Sequence, residues 1–490
     1  MCQCADVPIE FRNYLRLWKT GTFIRIGTSA HRHIYIGTSA HWHIMNKTSL
    51  LIRQHVLWRG LYFFSVLLIN IGIARFFAAE KSGQIFYIVN NLALILLLVS
   101  LCLESGATYF ISSGKLEASG MARFCWIWAT TASFIALAIW LVILHFEHSM
   151  YGNNIGFILA SFLFIAGVLY TTYFTALFYA KKEFGLPNKI LFLVNFLVIV
   201  LLITEKNNIF IKTHFIKIYF SGFFLQGILL NIFFFRNELS PGQASLPDRP
   251  MLKKVIQYSA AALVSNLIYF LVNRIDYWFV QYFCSAKDLG NYIQASKLGQ
   301  MMLILPGILG ATLFPIFSSR EKSGNEAQLT AVIRVLLWIN GILCLLIVCF
   351  GWIIIPFLFG TSFNNMYSLF VLLIPGILCV TMNYPITAWF SSASRIGINI
   401  RGSLLALLLI CAGDLFALPR FGVVAAPVVS SAGYISYFCY TVFVFRRENA
   451  APWKDFLRIR KTDISRIRQM LSNKIQGTDA EYSTVQNSTT

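Results

Sequence analysis

From residue 57 to residue 445 the chain alternates long apolar runs with short polar connectors. Each run approaches the ~20 apolar residues a helix needs to cross a bilayer. The pattern predicts twelve spans: 57–77, 84–103, 124–144, 155–177, 190–204, 214–235, 255–283, 289–317, 331–357, 366–390, 402–418 and 423–445. The predicted fold class is therefore all-α, a polytopic membrane protein of about 12 transmembrane helices. No connector is long enough to fold as a soluble domain.

The polar breaks also organise the chain. The longest connector, 236–254, carries Pro241, Gly242, Pro247 and Pro250 and reads as a linker after the sixth span. This divides the chain into a six-helix lobe (45–240), a linker (241–254), a second six-helix lobe (255–447) and a basic tail (448–490). The halves echo each other at an offset of about 204–207 residues. Ala79-Glu-Lys-Ser-Gly83 after the first span matches Ala286-Lys-Asp-Leu-Gly290 after the seventh. Ala107-Thr-Tyr-Phe110 and Ser112-Ser113 match Ala311-Thr-Leu-Phe314 and Ser318-Ser319. Six spans per half gives both lobes the same orientation, so the expected relation is a pseudo-two-fold axis along the membrane normal. Parallel-repeat transporters built this way bind substrate between their halves and rock to alternate access.

Composition agrees with this picture. Only 12% of the 490 residues are charged, against about 25% in a soluble domain, and the mean hydropathy is +0.67. The formal net charge of +20 sits mostly between the spans and at the termini, which argues against a nucleic-acid footprint. One set of alternate connectors holds Lys47, Arg53, Lys115, Arg123, Lys181, Lys182, Lys189, Arg236, Arg249, Lys253, Lys254, Arg320, Lys322, Arg395, Arg401, Arg446 and Arg447. The other set holds Lys81, Lys206, Lys212, Lys287 and Arg420, with Lys217 at a span edge. An asymmetry of about threefold places both termini in the cytoplasm. Most of the ten cysteines lie in apolar runs, where a thiol acts as a small hydrophobe. Neither they nor the lone Cys2-x-Cys4 pair predicts a metal or a cofactor.

The two ends differ from the rest. Residues 1–44 contain a tandem repeat ending in His31, His33, His41 and His43, a spacing outside the usual metal-ligand patterns. They read as an upstream extension, with translation expected from Met45. In 453–475, Trp453, Phe456, Leu457, Ile464, Ile467, Leu471 and Ile475 recur at near-helical spacing among basic residues. That suits either an amphipathic helix on the anionic inner leaflet or a solvated tail.

Several short stretches, in order, resemble one family. They are Asn273-Arg-Ile-Asp276, Leu289-Gly-Asn-Tyr-Ile-Gln-Ala295, Leu313-Phe-Pro-Ile-Phe-Ser318, Leu358-Phe-Gly-Thr-Ser-Phe363, and Leu418-Pro-Arg-Phe-Gly422 with Ala425-Ala426. Over about 45–447 the chain resembles the polysaccharide (O-antigen type) flippases of the multidrug/oligosaccharidyl-lipid/polysaccharide exporter superfamily. Asp414 departs from a common Asn, Ala425 from a Gly and Pro427 from an Ala. The resemblance implies flipping of a polyprenyl-pyrophosphate-linked oligosaccharide from the inner to the outer leaflet, driven by a proton or sodium gradient. It implies a lipopolysaccharide-type role in the cell inner membrane. The implied partners are the lipid-linked substrate, membrane lipids, a polysaccharide polymerase and a chain-length regulator.

Such a protein must offer a polar path with cations for the pyrophosphate. The charges inside spans nominate Arg274, Lys297 and Arg75 as anion ligands. Structural ion pairs are the plain alternative for Arg274 and Lys297, and snorkelling to the interface for Arg75. Asp276, Glu104 and Asp414 are the buried acids available for ion coupling. Asn266, Asn273 and Asn383 are placed to face sugar hydroxyls or to bond between helices. Pro306, Pro315, Pro375 and Pro385 fall within spans and predict kinks. No catalytic residue is predicted. The rival functions are export of drugs or another lipid precursor on the same fold, and a membrane glycosyltransferase or polymerase, which the short outer connectors disfavour.

Overall fold

A computed structural model describes residues 33–146, 154–204, 209–238, 246–317, 325–393, 395–449 and 463. Among these the secondary structure is helical. The helices are α1 (His33–Ser100), α2 (Leu103–Ser112), α3 (Ala118–Phe146), α4 (Ile155–Ala180), α5 (Gly185–Thr204), α6 (Ile209–Glu238), α7 (Arg249–Val272), α8 (Ile275–Phe283), α9 (Ala286–Met302), α10 (Ile304–Phe317), α11 (Asn325–Phe359), α12 (Met366–Ser392), α13 (Ile396–Phe421) and α14 (Ala425–Asn449). Helix is what a bilayer demands, because hydrocarbon offers nothing to an unsatisfied N–H or C=O.

Nine helical stretches among the described residues are long and apolar enough to cross a membrane. Two of them are double length. Leu57–Ser100 spans 44 residues, about 66 Å if straight, roughly twice the hydrocarbon core. It is interrupted by non-helical Ala78 (φ 59°, ψ 179°). Ile396–Glu448 is interrupted at Gly422, where φ is +64°. Reading each as two passes, and α9 with α10 as one more, recovers the twelve spans of the hydrophobic pattern. The fifth, shortest in the sequence pattern, is a full helix from Gly185 to Thr204. Large apolar side chains such as Phe134, Leu159, Phe357, Leu408 and Phe416 stand exposed, as a lipid-facing surface requires.

The chain forms two compact units. Among the described residues, the first comprises those up to 78 and those from 85 to 267, the second 79–84 and those from 268 onward. The division therefore falls within α7 rather than in the 241–254 connector, and the turn after the first pass belongs with the second unit.

In the first unit, α4 and α6 pack through small residues. A Cβ on Gly167 would run into the Phe223 backbone, and one on Gly227 would lie 2.7 Å from the Gly167 carbonyl oxygen. Such close approach is how helices associate where lipid removes the hydrophobic drive. Aromatic contacts flank the crossing, with Phe164 on Phe220 at 4.6 Å and Phe178 on Phe234 at 5.1 Å.

In the second unit, the turn 79–84 is seated on α9. A Cβ on Gly290 would run into the Ala79 carbonyl oxygen, and one on Gly83 would lie 2.8 Å from Gly290 Cα. The Ala79 N–H donates to Ser362 Oγ at 3.1 Å. Asn291 ties the same corner by donating to the Ser362 carbonyl and accepting from the Asn365 N–H. The two turns matched in the sequence repeat thus meet glycine to glycine.

Three spans are broken rather than continuous, and each break has its own repair. The second pass breaks at Leu101 and Cys102, both in the left-handed region (φ 51° and 49°). This is a costly conformation for side chains with a Cβ. The freed carbonyls accept from Trp128 Nε1 (on Val99, 3.1 Å) and the Tyr173 hydroxyl (on Ser100, 2.9 Å). The seventh pass breaks at Asn273–Arg274, and the Asn273 carbonyl accepts from Gln300 Nε2 at 3.4 Å. The eighth breaks at Leu303 because Pro306 has no N–H and its ring clashes with the carbonyl four residues back. That carbonyl, on Met302, accepts from Asn340 Nδ2 at 3.2 Å. Pro375 and Pro385, by contrast, lie inside an unbroken α12.

Candidate functional site

The break in the seventh pass builds the polar centre of the second unit. Arg274 is the residue capping α8, and Asp276 lies in its first turn. A carboxylate there is favoured by the N–H groups and dipole of the new helix. Arg274 lies within electrostatic reach of Asp276.

Asp276 is 1% exposed. Its Oδ2 accepts from the Tyr292 hydroxyl on α9 and from Ser430 Oγ on α14 at 3.0 Å. The two hydroxyls are 3.2 Å apart. One oxygen thus pins three helices, while Oδ1 is buried with no hydrogen-bond partner. A second layer surrounds it. Tyr277 donates to Ser296 Oγ at 2.9 Å, and Gln300 Nε2 reaches both the Tyr277 hydroxyl and Ser296 Oγ.

Asp414, on α13, is fully buried, and neither of its carboxylate oxygens has a hydrogen-bond partner. It lies within electrostatic reach of Asp276. Lys297, half-buried on α9, senses the charge of Arg274, whose guanidinium also stands 5.4 Å from the Phe270 ring. The second unit therefore gathers Arg274, Lys297, Asp276 and Asp414 into one region whose formal charges balance. Two buried carboxylates with open oxygens can take up a proton or a small cation. Two cations can hold an anion.

The remaining candidates serve other contacts. Asn273 bonds back to the Tyr269 carbonyl at 2.7 Å, so it belongs to the break itself. Asn383 accepts from Thr441 Oγ1 at 2.6 Å and joins α12 to α14. Asn266 belongs to the first unit and donates to Cys102 Sγ at 3.3 Å, bracing the break in the second pass. Glu104, 1% exposed, occupies the first turn of α2 directly after that break. The first unit thus repeats the arrangement of the second, with a buried acid opening a helix that starts inside a span. Arg75 is exposed near the end of the first pass, the position expected of a snorkelling cation.

No protein-family profile and no curated protein sequence matches the chain. Solved structures do. An inward-facing multidrug-resistance MATE transporter of the MOP superfamily superposes with a TM-score of 0.60 at 12% identity, covering 80% of this chain and 94% of that one. The lipid II flippase MurJ, in an inward closed conformation, gives 0.60 at 12% identity over 86% and 93%. A MOP-superfamily transporter from Pyrococcus furiosus, described by a reverse polarity of its binding pocket, gives 0.55 at 12% identity over 81% and 95%.

The fold is that of the MOP-superfamily transporters.

Within this MOP fold, several members of the polar centre were not legible as site residues. Tyr292 lies in the Leu289–Ala295 stretch that carries part of the family resemblance, yet nothing in its spacing points to Asp276, 16 residues away. Ser430 is 154 residues from Asp276 and sits among small residues that read as packing. Gln300 and Asn340 are lone amides in apolar runs, and their role depends on breaks that the hydropathy pattern passes over.

Proposed function

We propose that the chain is a flippase. It moves a polyprenyl-pyrophosphate-linked oligosaccharide from the inner to the outer leaflet of the cytoplasmic membrane by alternating access, with both termini cytoplasmic and an ion gradient as the driving force. The observation that supports this reading is the presence of two intramembrane cations, Arg274 and Lys297, and two buried acids, Asp276 and Asp414, within electrostatic reach of one another in turn near one broken helix. A charge inside a membrane costs at least a few kcal/mol and is retained where it has a role. Cations suit a pyrophosphate and repel the cationic compounds that a drug exporter would carry. Acids with open oxygens beside them offer the place where an ion could bind and release as the substrate moves.

Reconstituted protein in liposomes tests the reading, with a fluorescent polyprenyl-pyrophosphate oligosaccharide as substrate and an imposed proton or sodium gradient. Wild type is expected to flip the lipid, and Arg274→Ala and Lys297→Ala to lose most of that rate while remaining folded. Flipping retained by both variants would remove the cation site from the mechanism. No flipping by wild type under either gradient would overturn the substrate.

A further inference from the structure

The first unit carries a second cation cluster, at the end of its bundle that holds the α4–α5 connector, and the transport reading makes no use of it. Trp58 and Arg59 are adjacent on α1. The Arg59 guanidinium lies 5.5 Å from the Tyr179 ring at the end of α4 and 5.8 Å from the Phe63 ring one turn further along α1. The Lys189 ammonium, near the start of α5, lies 5.2 Å from the Trp58 ring. The Tyr179 hydroxyl donates to Asn188 Oδ1 at 2.8 Å, and Asn188 Nδ2 donates to the Phe184 carbonyl at 2.7 Å. Those bonds hold the connector, with Lys181 and Lys182, against the same corner.

A guanidinium stacked on rings spends its π faces and keeps its N–H donors free at the edge, the geometry that suits phosphate. Among the described residues neither Arg59 nor Lys189 makes a salt bridge, and the connector's one carboxylate, Glu183, is exposed. The first-turn N–H groups of α5, a 20-residue helix, add partial positive charge at the same place. A separate observation says what kind of anion fits. Lys189, Leu193, Phe196 and Leu197 follow one another on a single face of α5, and the three apolar residues are 59%, 52% and 51% exposed. A cation at the helix end thus runs directly into a bare apolar stripe. Trp58 and Tyr179 beside it are residues typical of the membrane–water boundary.

We infer that this corner is a headgroup site for an anionic phospholipid. Its phosphate is held by Arg59 and Lys189, and an acyl chain lies along Leu193, Phe196 and Leu197. The site is independent of the transport reading, since it shares no residue with the Arg274 and Lys297 region.

The test uses the full chain, purified and delipidated in detergent, with binding read by native mass spectrometry and by the thermal unfolding midpoint. The probes are phosphatidylglycerol, phosphatidylcholine and inorganic pyrophosphate. Phosphatidylglycerol is expected to bind and raise the midpoint, while the other two do neither. Lys189→Gln, at an exposed position where the fold tolerates change, should weaken phosphatidylglycerol binding about fivefold. The double variant with Arg59→Gln should weaken it about thirtyfold. Equal binding of phosphatidylcholine would overturn the proposal, as would a pyrophosphate response matching that of phosphatidylglycerol. Unchanged phosphatidylglycerol affinity in Lys189→Gln would do the same.

Discussion

Arg334, on α11, is completely buried, and its counter-ion comes from far along the chain. Its Nε donates to Asp463 Oδ2 at 2.8 Å and its Nη2 to Asp463 Oδ1 at 2.5 Å. Both side chains are 1% exposed, so water does not screen the pair. Leu329, Ile333 and Leu336 around Arg334 are buried as well. Asp463→Ala would remove the guanidinium's buried counter-ion, and breaking a buried pair from one side costs about 3–5 kcal/mol. That is a shift of more than a hundredfold in the unfolding equilibrium. Replacing both partners, Arg334→Met with Asp463→Leu, removes the charge and its desolvation together and should cost no more than about 1 kcal/mol. The assay is unfolding of the purified protein in detergent, followed by tryptophan fluorescence and by loss of the monodisperse chromatographic peak. The expected order of stability is wild type close to the double variant, with Asp463→Ala well below both. A change under about 0.5 kcal/mol for Asp463→Ala, or a double variant as weak as the single one, would refute the reasoning.

Gly290→Ala should lower the unfolding midpoint, at an overpacking cost of about 1–3 kcal/mol, because its Cβ would run into the Ala79 carbonyl oxygen. Gly341→Ala, with nothing within 4 Å on α11, should instead be neutral or stabilising by about 0.5–1 kcal/mol in the same assay. Asp414→Asn should separate stability from activity. It removes a buried carboxylate that has no hydrogen bond, so the midpoint holds or rises, while gradient-driven flipping in liposomes falls. Tyr292→Phe takes one donor from Asp276 and should cost about 1–3 kcal/mol in unfolding. An unchanged midpoint there would mean that Asp276 does not need its hydroxyl cage.

Residues 453–475 suggested either an interfacial amphipathic helix or a solvated tail. All but Asp463 lie outside the described residues, and Asp463 is inside the protein, paired with Arg334. The pairing joins positions 129 residues apart, which no local pattern of residues shows. Nor did Arg334 stand out among the intramembrane charges, since it sits near the edge of an apolar run.

Hydropathy was sufficient for the membrane-spanning, all-helical class. Those properties follow from a solvent that penalises every exposed charge and unpaired backbone group, so they are written in composition and run length. The same penalty made Arg274, Lys297, Asp276 and Asp414 conspicuous one by one. Tertiary structure decided that these four share one region, while Asn266 and Asn383 serve helix contacts elsewhere. It also decided where the helices break. A break becomes stable when a side chain from another helix satisfies the freed carbonyl, as Trp128, Tyr173, Gln300 and Asn340 do. That compensation is a property of contacts between distant segments, and no local pattern of residues encodes it.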